Sequence, residues 1–323
     1  MRITLVGPGA IGGAIASRLL RGGVELSLLA SPRGAAVLRR EGLRVREGGV
    51  LYHDHPPVAE DASELGPQDL VILCLKGHAL AEGARSLAPL VGPQTLVVAA
   101  QNGIPWWFFE GFGGALAGRR LQSVDPHGEI ARNLPASQCV GCMIYIAAYT
   151  DDEGVIHAGG HSRLVLGEAV DAGGQALARA VAVLERSGLE IRQSDQIRRE
   201  VWLKLWGNLT VNPLSALTGA TIDRMVADPL VSQLIGRMMD EARSLTDALG
   251  IDLGMRTEER IAGMRALGPV KTSMLQDMEA GRAPEIGAII GAVAEIGDLL
   301  DIDTPFIDAV LGMVRQRAAS AGH

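Results

Sequence analysis

Short, unbroken apolar runs punctuate the first half of the chain, and only helical periodicities follow in the second. Runs at 69–76 and 95–103 are continuously apolar, as parallel strands covered on both sides should be, and 2–6 and 24–30 read as strands before them. The segments "CVGCMIYIAAY", "GVIHAGG" and "RLVLGE" also read as strands. The short joins "TDDEG" and "GGHS" predict antiparallel pairing among them. A helix over 174–187 and a strand over 190–193 close this half. From Ser194 onward, helical periodicity covers 196–210, 229–249, 257–267, 285–300 and 305–319. Asn212-Pro213 is expected to end or kink the first of these, because proline lacks the N–H and restricts its predecessor.

The first strand runs into Gly7-Pro8-Gly9-Ala10-Ile11-Gly12, a G-x-G-x-x-G that opens an amphipathic helix and is followed by a second strand. Gly7 permits the tight turn, Gly9 lets backbone approach a pyrophosphate, and Gly12 lets helix and strand pack closely. The free N–H groups of Ala10 and Ile11 at the helix start suit phosphate. This context predicts an N-terminal Rossmann-like dinucleotide-binding domain over 1–193. An all-helical domain over 194–323 follows, so the fold class is α/β plus all-α. At the end of the second strand, where an acid would accept bonds from a ribose, stand Ser31 and Arg33. A carboxylate there would repel a 2′-phosphate, whereas these two can bind one, so NADP(H) is favoured over NAD(H). Lys76 and Asn102 lie at the carboxyl ends of later strands, the edge where open α/β sheets bind ligands. The aromatic run Trp106 to Phe109 reads as a helix packed on the core, or as a wall of the substrate pocket.

The segment "WLKLWGNLTVNPL" places Lys204, Asn208 and Asn212 four residues apart, on one face of a helix that is otherwise apolar. Buried polar groups need partners, which protein, water or substrate can supply. Further on, Ser273 stands three residues before Gln276, a capping-box spacing, and Glu285 follows Pro284 at a helix start.

Composition excludes several alternatives. The net charge is −7 and no basic cluster tracks along the 323 residues, so nucleic acid is not an expected partner. No apolar run is long enough for a bilayer span, and the first residues do not read as a signal peptide, so a cytoplasmic protein is expected. Cys139 and Cys142 form a C-x-x-C, but three residues apart on a strand they face opposite sides. Neither they nor His53 to His55 predict a metal site.

Taken together, "GPGAIGG", "CLK" at Lys76, "QNG" at Asn102, "KLWGNLTVNPL" and "SMLQDMEAGRAPEI" resemble the ketopantoate reductases over the whole chain. The resemblance implies NADPH-dependent reduction of a small 2-keto acid, ketopantoate, by a homodimer. It implies Lys204 as general acid with Glu285 as its partner. Asn208, Asn212, Ser273 and Asn102 would bind substrate. Gly7, Gly9, Ala10, Ile11, Gly12, Ser31, Arg33, Lys76 and Asn102 would hold the cofactor. The family often has an arginine where Ser31 stands, and Arg33 is placed to serve instead. Gly287 and Ile290 replace an Asp and an Asn common after the glutamate. Together with the 106–109 aromatics they leave room for a different 2-keto acid. A non-catalytic NADP-binding sensor is the remaining alternative, and it would not need Lys204.

Overall fold

The computed structural model describes residues 1–171 and 173–323. The chain forms two compact units, Met1–Gln101 with His127–Ile197, and Asn102–Pro126 with Arg198–His323.

The first unit carries β1 (Ile3–Val6), α1 (Ala10–Arg21), β2 (Ser27–Leu29), α2 (Pro32–Glu41), β3 (Leu43–Glu47), β4 (Val50–Asp54) and β5 (Val58–Ala59). It continues with β6 (Leu70–Leu73), α3 (Gly77–Gly83), β7 (Leu96–Ala100), α4 (Glu129–Asn133), β8 (Cys139–Thr150), β9 (Ile156–Glu168), α5 (Gln175–Leu184) and β10 (Glu190–Gln193). The strands make one sheet in the order β4-β3-β9-β8-β7-β6-β1-β2-β5, with β10 on β9. From β2 to β8 all pairings are parallel, and β1, β6 and β7 are buried along their whole length. This is the Rossmann-like arrangement the apolar runs predict. Its core is built from β1, β6 and β7 with Ala14, Ile15, Ala16 and Leu19 of α1.

Two expectations change here. "GGHS" does not turn the chain. It lies within β9, where the register against β8 shifts between Tyr145/Arg163 and Ala147/Gly159. Extra residues on one strand make a bulge, which glycine accommodates as readily as a turn. The hairpin β3–β4, joined at Gly48-Gly49, has no counterpart among the expected strands. In β3 buried Leu43 and Val45 alternate with Arg44 and Arg46, and β4 is largely exposed, so no unbroken apolar run reveals it.

The second unit holds α6 (Ile197–Thr218), α7 (Ile222–Ala227), α8 (Pro229–Ala248), α9 (Thr257–Arg265) and α10 (Ser273–Glu279). A π-helical turn (Gly287–Gly291), α11 (Ala292–Leu300) and α12 (Pro305–Ser320) complete it. Here α6 runs through Pro213 for 22 residues, so the proline does not end it. Residues 209–216 are all buried, and packing of that degree outweighs one missing backbone bond. Ser215 and Thr218 turn their hydroxyls back onto the carbonyls of Asn212 and Leu214, at 2.9 and 2.8 Å. A further difference concerns 102–126, which the sequence reading includes in the first domain and which packs with the helices. Trp106–Phe109 is a series of turns rather than a helix. Trp107, Phe108 and Phe109 are at most 1% exposed, so they belong to this unit's core. Phe108 meets Trp202 edge to face with ring centroids 6.5 Å apart, and the Arg198 guanidinium donates to the Phe108 and Glu110 carbonyls at 2.7 and 2.5 Å.

Candidate active site

In the first unit, the glycine turn shows why each glycine stands where it does. Gly7 has φ +81°, the region that favours glycine. At Gly12 a Cβ would lie 2.3 Å from the Gly7 carbonyl oxygen, so the helix can approach the turn only without one. At Gly9 a Cβ would meet nothing within 4 Å. Lack of room therefore explains Gly12 but not Gly9, whose bare backbone faces open space. Ala10 and Ile11 begin α1, whose N-terminus has no side-chain cap and no acid in its first turn. Uncapped N–H groups and the positive end of the helix dipole suit an anion. These residues fit a dinucleotide pyrophosphate.

At the end of β2, Ser31 caps α2, its hydroxyl accepting from the Gly34 N–H at 3.3 Å. The local fold therefore already employs Ser31. Arg33, exposed in the first turn of α2, makes no ion pair among the described residues. Lys76 precedes α3 and is half-buried. Behind the turn, burial pushes the Cys74 thiol up to about 12, and Cys139 is likewise raised by burial. Cys139 and Cys142 are buried free thiols.

In the second unit the polar stripe of α6 begins with Lys204. The Lys204 ammonium donates to Asn102 Oδ1 at 2.6 Å, joining residues 102 positions apart. Asn102 is fixed by its neighbour. Gly103 has φ +79°, and a Cβ there would sit 2.2 Å from the Ala288 carbonyl oxygen, to which the Ile104 N–H donates at 2.8 Å. Ala288 lies in the π-helical turn that begins two residues after Glu285. The structure thus joins Lys204, Asn102 and the turn after Glu285 through one close backbone contact. Glu285 precedes that turn rather than opening a regular α-helix, and π-turns of this kind recur at functional sites.

Asn208 is half-buried and Asn212 is 3% exposed. One turn after Asn212, the Ser215 hydroxyl touches that of Thr272. Thr272, not Ser273, caps α10, accepting from the Leu275 N–H at 3.2 Å. The expected cap moves by one residue, and Ser273 is left exposed at the first helical position. The start of α10 and the second half of α6 therefore meet through Ser215 and Thr272, neither of which the sequence reading singled out. Gly287 also has a local cause: a Cβ would approach the Ser123 carbonyl oxygen to 2.5 Å. Ser123 and Gln122 are held in place by the Glu295 carboxylate, which accepts their N–H groups at 2.8 and 2.6 Å. An aspartate does not fit at 287 while this segment keeps its position. Ile290 is wholly buried. Among the described residues, no group of side chains could hold a metal ion, and no helix is long and apolar enough to cross a membrane.

A dinucleotide-type turn in one unit, and a lysine with amides on a buried helix in the other, are the equipment of an oxidoreductase. Residues 3–171 match the family described as ketopantoate reductase PanE/ApbA, and residues 196–318 match its C-terminal counterpart. A 2-dehydropantoate 2-reductase of Mesorhizobium japonicum is 42% identical over 100% of this chain and 99% of its own length. A proposed ketopantoate reductase from Ralstonia solanacearum MolK2 superposes with TM-score 0.94 at 43% identity, covering 99% of this chain and 98% of its own. D-Mandelate dehydrogenase, solved with NADH and anilino(oxo)acetate, superposes with TM-score 0.86 at 22% identity over the full length of both chains, a likeness of fold. The chain belongs to the ketopantoate reductase family. It is a dinucleotide-dependent oxidoreductase acting on a CH–OH group.

Proposed function

We propose that the protein reduces ketopantoate to pantoate with NADPH, Lys204 acting as general acid. The observation that carries this reading is the 2.6 Å contact between Lys204 and Asn102, in a chain 42% identical to a 2-dehydropantoate 2-reductase along its whole length. Bound NADPH would supply the hydride, held by Gly7, Gly9, Ala10, Ile11 and Gly12 at the pyrophosphate and by Arg33 at the 2′-phosphate. Ser31 would orient α2, with Lys76 and Asn102 toward the nicotinamide end. As the keto oxygen becomes an alkoxide, the Lys204 ammonium stabilises the charge and then protonates it. Asn102 holds the ammonium by an acceptor that cannot take its proton. Glu285 pairs with the lysine, and Asn208, Asn212 and Ser273 donate to the carboxylate and hydroxyl of the substrate. A homodimer in the cytoplasm is proposed from the same resemblance, and light scattering on the purified protein checks the dimer.

A second reading keeps the chemistry and changes the keto acid. The contact between Gly287 and Ser123 favours it, because it excludes the acidic side chain common at 287. NADPH oxidation by purified protein with ketopantoate, pyruvate, 2-ketoisovalerate and phenylpyruvate, repeated with NADH, separates the two. The first reading expects the fastest turnover with ketopantoate and NADPH. Faster turnover of another keto acid would transfer the function to it. Cofactor binding without turnover of any would favour a sensor.

A further inference from the structure

We propose that Arg260, on α9, recognises the carboxylate of the 2-keto acid, an inference that rests on the reductase reading above. It starts from Gly207, in the interior of α6. A glycine there destabilises a helix relative to alanine, so its presence needs a cause. The cause is α9, two of whose side chains reach α6 at this point. A Cβ on Gly207 would lie 2.8 Å from Arg260 Nη2, 3.4 Å from its Nε and 3.2 Å from Met264 Cε. The missing side chain is the space the guanidinium fills.

Gly207 is next to Asn208 and three residues after Lys204, so its surface adjoins the polar stripe. A permanent cation therefore lies within one helical turn of both. The substrate's chemistry calls for such a group. A 2-keto acid carries a full negative charge beside the carbonyl to be reduced, and Asn208, Asn212 and Ser273 offer only neutral donors. Arginine's planar fork matches a carboxylate with two parallel bonds, and it cannot give up its proton. This divides the work: Lys204 serves the keto oxygen, where a proton must move, and Arg260 serves the carboxylate, where none should. Gly207 is the element that allows both cations on one helix face. Glu200 lies two turns before Gly207 on that face, so a purely structural guanidinium is the alternative the experiment must exclude.

The test compares each acid with a neutral molecule of the same skeleton: ketopantoate with its lactone, and 2-ketoisovalerate with its methyl ester. Arg260→Met is expected to raise KM for the acids about 30-fold or more, with little change in kcat, in KM for the neutral partners or in NADPH affinity. Arg260→Lys keeps the charge without the fork and should show a smaller rise, about fivefold. A structural guanidinium would weaken acid and neutral substrates alike. That result, or an unchanged KM for the acids, overturns the proposal. If Arg260→Met fails to bind NADPH and so is not folded, Arg260→Lys decides, and an unaltered acid-to-neutral ratio there overturns it. If the wild-type protein reduces no 2-keto acid, the reductase reading and this inference fall together. If it does and the ratio does not move, only this inference falls.

Discussion

The glycine turn of the first unit and the α6 stripe of the second make their sites from different materials. The turn works through backbone: φ at Gly7, closeness at Gly12 and open space at Gly9, all within six consecutive residues. The α6 site works through side chains, which meet residues 102, 260 and 272, while the turn after 285 reaches it only through the backbone beside Asn102. A site made of backbone can be written in one short motif. A site made of side chains becomes definite only when distant segments meet.

That contrast predicts different kinds of damage. The largest effect should follow Lys204→Ala, a loss of about three orders of magnitude in kcat with NADPH affinity nearly unchanged, read by steady-state kinetics and a fluorescence titration. Comparable weakening of NADPH would erase the contrast, because the stripe would then serve the cofactor. Next come two substitutions in the turn that look alike and should not behave alike. Gly12→Ala puts a Cβ 2.3 Å from a backbone oxygen and should destabilise the fold by about 2–3 kcal/mol, visible as a fall in Tm. Gly9→Ala meets nothing, so Tm should hold while NADPH affinity drops about tenfold or more as the methyl group intrudes on the pyrophosphate. Equal losses of Tm would mean that Gly9 is structural after all. Arg33→Ala should weaken NADPH about tenfold and leave NADH unaffected; equal weakening of both would remove the 2′-phosphate contact. The smallest effect is expected for Thr272→Ala, about 1 kcal/mol of stability from the lost cap of α10. A modest rise in KM should accompany it if α10 is held by Ser215 as the geometry indicates, and denaturant unfolding beside kinetics measures both.

The same contrast explains what could be read in advance. The parallel strands, the glycine turn and the C-terminal helices follow from apolar runs and periodicity, which are local properties. Ser31 stood out as a candidate from its place after β2, but its capping bond to Gly34 needed coordinates. Pro213 does not end α6, because the local rule met a stronger non-local one, the burial of residues 209–216. Gly207 and Gly103 carried a signal in principle, a glycine in a helix interior and one after a strand end. Neither says which partner needs the space until Arg260 and Ala288 are seen beside them. The aromatic run 106–109 follows the strand region directly in sequence, and nothing local shows that its packing partners are Arg198 and Trp202.

That last arrangement has a consequence for the protein during its synthesis. The ribosome releases four consecutive aromatic residues, and the partners that bury them emerge about 90 residues later. At about 5–20 residues per second the aromatics stay uncovered for roughly 5–20 s, a long interval beside hydrophobic collapse. The growing chain thus carries its most adhesive segment exposed through the middle of translation, and this is the interval in which a holding chaperone would matter most for yield.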